Sequence, residues 1–150
     1  MLKINSVDAI CLFPEDFEAS RKFYEEVFGF KPKRLQNNNT ELTFNNPNFV
    51  TYQFNGTCLS LWKRSDVEEI LGEHNVGSER KKRNYMIAIK LDNTKLVDDL
   101  HNALLNKGAK CICKPQKYHF GAYAMYYADN EGNIWEFYSW SQGNTGPSLI

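Results

Sequence analysis

The sequence predicts an α+β fold made of two tandem βαβββ modules, and three observations carry that prediction. Several short runs alternate apolar and polar residues with period two, two longer segments carry a helical apolar stripe between a capping residue and a glycine, and this order of elements occurs twice. At 150 residues the chain is long enough for a single domain with a substantial core.

Module one is expected over about residues 4–64. A strand from Ser6 to Phe13 leads to a helix from Asp16 to Phe28. Asp16 is suited to cap that helix, Phe17, Tyr24, Val27 and Phe28 form its stripe, and Gly29 stands at the C′ position. Three strands follow near Lys31 to Gln36, Asn48 to Phe54 and Thr57 to Lys63, the last two joined by the hairpin signal Asn55-Gly56. A linker from Ser65 to Asn84 leads to module two, expected over about 85–140. There a strand from Tyr85 to Leu91 precedes a helix that opens at Asn93, with Leu96, Val97, Leu100 and Leu104 as its stripe and Gly108 as its C′ residue. Strands near Ala109 to Cys113, Ala122 to Ala128 and Asn133 to Trp140 complete the repeat, and 141–150 reads as a mobile tail.

The register of the repeat can be read by hand. Ala9 lies seven residues before Asp16 and Met86 seven before Asn93, so the two positions correspond. Gly56-Thr-Cys-Leu-Ser-Leu-Trp62 lies over Gly132-Asn-Ile-Trp-Glu-Phe-Tyr138 without a gap, so Ser60 corresponds to Glu136. Strand parity then places Ala9, Cys11, Phe13, Cys58, Ser60, Trp62, Met86, Ala88, Lys90, Ile134, Glu136 and Tyr138 on one face, and an apolar set including Leu59, Leu61, Ile87, Ile89, Trp135 and Phe137 against the helices. Two such units bury their sheets by facing each other or a second chain.

Composition excludes several classes. Eighteen basic residues balance eighteen acidic ones, so no global field recruits nucleic acid or an anionic membrane. The basic run Arg80-Lys-Lys-Arg83 reads as part of a solvated linker. No apolar run approaches the roughly 18 residues of a membrane span, and the first residues lack the core of a signal peptide, so a cytoplasmic protein is expected. Cys11, Cys58, Cys111 and Cys113 lie in strand-like surroundings that suit reduced thiols, the last two sharing one strand face. Against this background Glu136 stands out, a carboxylate within the aromatic run Ile134-Trp-Glu-Phe-Tyr138. A metal, a charged ligand or a proton to be moved would each account for it.

Asp16-Phe-Glu-Ala-Ser-Arg-Lys-Phe-Tyr-Glu-Glu-Val-Phe-Gly-Phe30 after the first strand and Tyr127-Ala-Asp-Asn-Glu-Gly-Asn-Ile-Trp-Glu-Phe137 near the end, within a βαβββ repeat, resemble the vicinal oxygen chelate superfamily of glyoxalase I, bleomycin-resistance proteins and extradiol dioxygenases. The resemblance implies modules that form a curved mixed sheet around a cleft, a divalent metal in the family's enzymes, and frequent assembly as homodimers. The family's four ligand positions fall here on Ala9, Ser60, Met86 and Glu136. Of these, Glu136 alone is a competent ligand, so no cofactor is expected and a divalent metal is disfavoured.

What remains is a cleft with aromatic walls and a carboxylate, which suits a small organic molecule. Expected ligand-binding residues are Phe13, Trp62, Lys90, His119, Glu136 and Tyr138. The leading expectation is a metal-free protein, similar to the bleomycin-resistance branch, that binds a small aromatic or cationic compound. An enzyme with Glu136 as general base is the first alternative, with Lys90, Tyr138 or His119 stabilising an oxyanion. A lyase or dioxygenase with an atypical metal at Glu136 is the second. An interaction module, with Glu136 hydrogen-bonded to a neighbouring tyrosine, is the third. Lys90 is also placed to pair with Glu136 and cancel its preference for a cation.

Overall fold

The computed structural model describes residues 7–32, 48–76, 85–118 and 121–140. The chain divides into two compact units, Met1–Arg80 and Lys81–Ile150, each with its own sheet.

In the first unit β1 (Ala9–Leu12) precedes a helix, and β2 (Phe49–Phe54) and β3 (Thr57–Trp62) form a hairpin. The sheet order is β1-β3-β2, with β1 parallel and β2 antiparallel to β3. The helix α1 (Phe17–Lys22) starts as its sequence suggests: the Asp16 side chain accepts a hydrogen bond from Ala19 N at 2.9 Å. Such a cap contributes about 1 kcal/mol. Beyond Lys22 the helix widens into a π-helical segment, Phe23–Val27, in which Phe28 N donates to Phe23 O at 3.3 Å. Periodicity alone gave no sign of this change. It sets Tyr24 parallel to Phe30 at 5.7 Å, and Phe30 in turn packs edge-on against Phe54 at 5.1 Å. The aromatic cluster is large enough to offset the poorer geometry of a π turn. Gly29, at φ 74°, then turns the chain out of the helix in a conformation that L side chains rarely adopt.

The expected linker begins as ordered helix instead. α2 (Arg64–Leu71) and α3 (Glu73–Val76) follow β3 directly. Val67 is buried, and the Arg64 guanidinium ties three segments together by donating to Phe13 O at 2.6 Å and Val76 O at 3.1 Å. The polar composition that suggested a solvated linker is the outer face of these helices. Of the strand expected at Lys31 to Gln36, an isolated bridge between Pro32 and Tyr52 is present. Residues 33–36 lie outside the described residues, as do Ser6, Arg80 to Arg83, His119 and the tail 141–150.

The second unit carries β4 (Met86–Lys90), α4 (Thr94–Asn106), β5 (Lys110–Lys117), β6 (Ala122–Ala128) and β7 (Ile134–Trp140), with sheet order β4-β7-β6-β5. Asn93 caps α4 by accepting from Leu96 N at 2.9 Å, and Gly108, at φ 75°, ends it. β5 is longer than its sequence suggested, and two register shifts interrupt its pairing with β6. The first bulge corrects one expectation. Cys111 pairs with Tyr127 and Cys113 with Tyr126, so an extra residue between them sends the two thiols to opposite faces.

The pairing confirms the hand-read repeat. Ala9 opposes Cys58 in the parallel pair of the first unit, and Met86 opposes Ile134 at the equivalent positions of the second. Each unit buries the helix-facing side of its sheet: Leu59, Leu61, Val50 and Tyr52 in one, Trp135, Phe137, Met125 and Tyr127 in the other. Two tyrosines at matching positions fasten sheet to helix. The Tyr52 hydroxyl donates to Glu25 Oε1 at 3.2 Å, and the Tyr127 hydroxyl lies 2.8 Å from His101 Nδ1. His101 is thereby a structural partner at the edge of the core.

Candidate functional site

The face of the second sheet turned away from α4 gathers most of the chemistry expected from sequence. β7 supplies Ile134, Glu136, Tyr138 and Trp140, all half-buried, and the flanking β4 supplies Met86, Ala88 and Lys90, all exposed. Cross-strand pairing fixes their neighbours: Glu136 lies between Ala88 on β4 and Tyr126 on β6, and Tyr138 between Lys90 and Ala124. Because β7 is paired on both sides, the backbone beneath Glu136 is held rigidly.

Tyr126 faces Glu136 directly across the β6–β7 pair, with its hydroxyl near enough to feel the carboxylate. Burial, and next to it the negative charge of Glu136, push the Tyr126 phenol up to about 12, so it stays protonated at neutral pH. Around this pair the aromatic rings stand perpendicular to one another. Tyr118 meets Tyr126 at 5.9 Å and 85°, with its own hydroxyl accepting from Gln116 Nε2 at 2.9 Å, and Tyr138 meets Trp140 at 5.6 Å and 81°. Among the described residues neither Glu136 nor Lys90 forms an ion pair, so the expected competition between the two is not realised.

The equivalent position in the first unit is closed. Ser60 is buried, and its hydroxyl lies 3.0 Å from that of Thr51, its partner across the hairpin. Thr51 and Tyr126 thus hold the same place in the two units, each directly across from the residue at the matching position of the last strand. Trp62 packs edge-on against Phe49 at 5.9 Å, and Phe13 lies just beyond the end of β1 with its carbonyl held by Arg64. Of the sequence-predicted ligand residues, Lys90, Glu136 and Tyr138 therefore share one face of the second unit. Phe13 and Trp62 belong to the first, and His119 lies outside the described residues.

The donor set fits a metal poorly. Ala9 has no donor and Met86 offers a thioether, a poor ligand for zinc, nickel or iron. The Ser60 hydroxyl is engaged by Thr51, which leaves Glu136 as the one competent donor among the four. Among the described residues no group of three or more His, Cys, Asp or Glu side chains is placed to hold a metal ion.

Sequence reasoning missed Tyr126, Tyr118, Gln116 and Trp140. For Tyr126 the signal existed, since the hairpin through Asp129 to Asn133 sets it opposite Glu136. Tyr118 and Gln116 lie past two bulges, which break the parity that any face assignment depends on.

The model of the Glyoxalase/Bleomycin resistance protein/Dioxygenase superfamily matches residues 6–137. The chain belongs to this superfamily. It is 28% identical over 132 residues to an uncharacterized protein, YraH, of Bacillus subtilis (strain 168), covering 86% of this chain and 94% of that protein. Among solved structures, it resembles a glyoxalase/bleomycin resistance protein/dioxygenase from Nocardioides with a TM-score of 0.79 at 23% identity, over 100% of this chain and 92% of that one. It also resembles a glyoxalase-related enzyme from Fulvimarina pelagi with a TM-score of 0.72 at 28% identity, covering 91% and 88%. The two mixed sheets, of three and four strands, are those of the superfamily fold. Among the described residues no helix is long and apolar enough to cross a membrane.

Proposed function

We propose that this superfamily member is a metal-free, cytoplasmic binding protein that holds a small aromatic or cationic compound and works as a homodimer. The observation that carries the reading is the contrast between the two sides of the second sheet. The helix side is sealed by Trp135, Phe137, Met125 and Tyr127, whereas the other side leaves a carboxylate, four aromatic residues and an exposed methionine partly open. A carboxylate amid aromatic side chains suits recognition of an organic molecule. The poverty of donors at the family's ligand positions supports binding over metal chemistry.

One observation favours a second reading. Tyr126 places a neutral hydroxyl donor opposite Glu136, a further candidate beside Lys90, Tyr138 and His119 to stabilise an oxyanion in a base mechanism. The two readings separate in a thermal-shift screen of aromatic and cationic compounds, followed by mass spectrometry of the incubated hits. Binding alone predicts stabilisation of about 2.7 kcal/mol at a hundredfold excess over Kd, with each compound recovered unchanged. Conversion of a hit, lost in Glu136→Gln while binding survives, would overturn the binding reading in favour of catalysis.

A further inference from the structure

We propose that Glu136 is the anchor for a single protonated amine on a ligand that carries an aromatic or apolar group. This rests on reading the open face of the second sheet as the ligand surface and adds the chemical class it selects.

Three features point to an N–H cation. First, the carboxylate is under-used: it lies across from an uncharged phenol and, among the described residues, forms no ion pair. A carboxylate has about four acceptor sites, so most of its capacity remains for a donor from outside. Second, its neighbour on β4 is Ala88, a small and exposed side chain that leaves room for a ligand atom on that flank of Glu136. Third, the surrounding rings are set to receive a cation. In each perpendicular pair, Tyr118 with Tyr126 and Tyr138 with Trp140, the edge of one ring takes the face of the other, and all four residues are half-buried, so each pair keeps some exposed aromatic surface.

Lys90 limits the ligand to one positive charge. It stands across from Tyr138, two residues along β4 from Ala88, exposed and on the same face. A second cation on that side would be repelled, whereas an uncharged ring would lie against Tyr138. A quaternary ammonium would gain the ring contacts but could not donate to the carboxylate, and should bind more weakly than a primary amine of the same size.

The test is a titration of the isotope-labelled full chain, followed by amide chemical shifts, with three probes that share one ring: 2-phenylethylamine, 2-phenylethanol and 3-phenylpropionate. The expected result is a set of shifts over 86–90, 124–127 and 134–140, with the amine binding about tenfold more tightly than the alcohol and the carboxylate weakest. Glu136→Gln should erase the preference for the amine. Tyr126→Phe keeps the ring and the carboxylate and removes the competing donor, so amine binding should be retained or strengthened, which guards against a variant that merely misfolds. Equal binding of all three probes on this face, or a preference that survives Glu136→Gln, would overturn the amine anchor and leave the ligand surface standing. Shifts confined to other residues with every probe would overturn both.

Discussion

Trp135→Ala is expected to destabilise the second unit by about 3–5 kcal/mol, which for a chain of this size lowers the melting temperature by roughly 10 °C. Trp135 is among the largest fully buried side chains, with no exposed surface. It sits on β7 between Ile87 of β4 and Tyr127 of β6 and lies nearly parallel to Phe137 at 6.4 Å. Its removal leaves a cavity beneath the strand that carries Glu136, next to the tyrosine that ties the sheet to α4 through His101. Relaxation into that cavity should also weaken ligand binding on the opposite face. Trp135→Phe keeps much of the apolar volume and should cost less than half as much. Urea unfolding gives the answer: a lower midpoint with an unchanged slope is expected, and a change below about 1 kcal/mol would mean that this side of the sheet is not the core.

The second large effect is expected at Asp129, a buried carboxylate in the turn before β7. Its Oδ1 accepts from Glu131 N at 2.9 Å and Asn133 N at 2.8 Å, and its Oδ2 accepts from Asn133 Nδ2 at 2.7 Å. Asp129→Ala strips these acceptors at once and strands donors in a partly buried turn, at a cost of about 2–3 kcal/mol. Asp129→Asn retains an oxygen for the two backbone donors but sets one amide NH2 against another, so a smaller loss, about 1 kcal/mol, is expected. Thermal unfolding of the two variants checks the order. An Asn variant as damaged as the Ala variant would show that charge, rather than the acceptor geometry, holds the turn.

The fold was largely legible because its local signals agree with one another. Asp16 and Asn93 cap helices and Gly29 and Gly108 end them, so the repeat could be aligned from these points outward. Period-two alternation then ran through β4 and β7 without interruption, which is why Glu136, Tyr138 and Lys90 were assigned to the one face on which the β4–β7 pairing sets them. The errors arose where periodicity breaks. A π-helical segment changes the phase of α1, bulges change that of β5, and Cys111 and Cys113 were assigned a shared face that the first bulge removes. The helices over Arg64–Leu71 and Glu73–Val76 were missed because a short helix with few buried residues looks like polar linker.

The candidate site was legible in outline and not in its contacts. That Glu136 corresponds to Ser60 followed from aligning the repeats, and that both fall at family ligand positions is what the resemblance implies. That Tyr126 would face Glu136 required the hairpin register, and Thr51 faces Ser60 in the same way in the first unit. The superfamily scaffold is present in both units, and at the matching positions of their last strands Ser60 meets the Thr51 hydroxyl and Glu136 faces Tyr126.

Metal content per chain tests the central claim most directly. It is measured by elemental mass spectrometry on protein purified without chelator or nickel affinity resin, before and after incubation with zinc, nickel, manganese or iron(II). The account predicts no metal above background in either state and no change in Glu136→Ala. A near-stoichiometric metal that disappears in Glu136→Ala would contradict it.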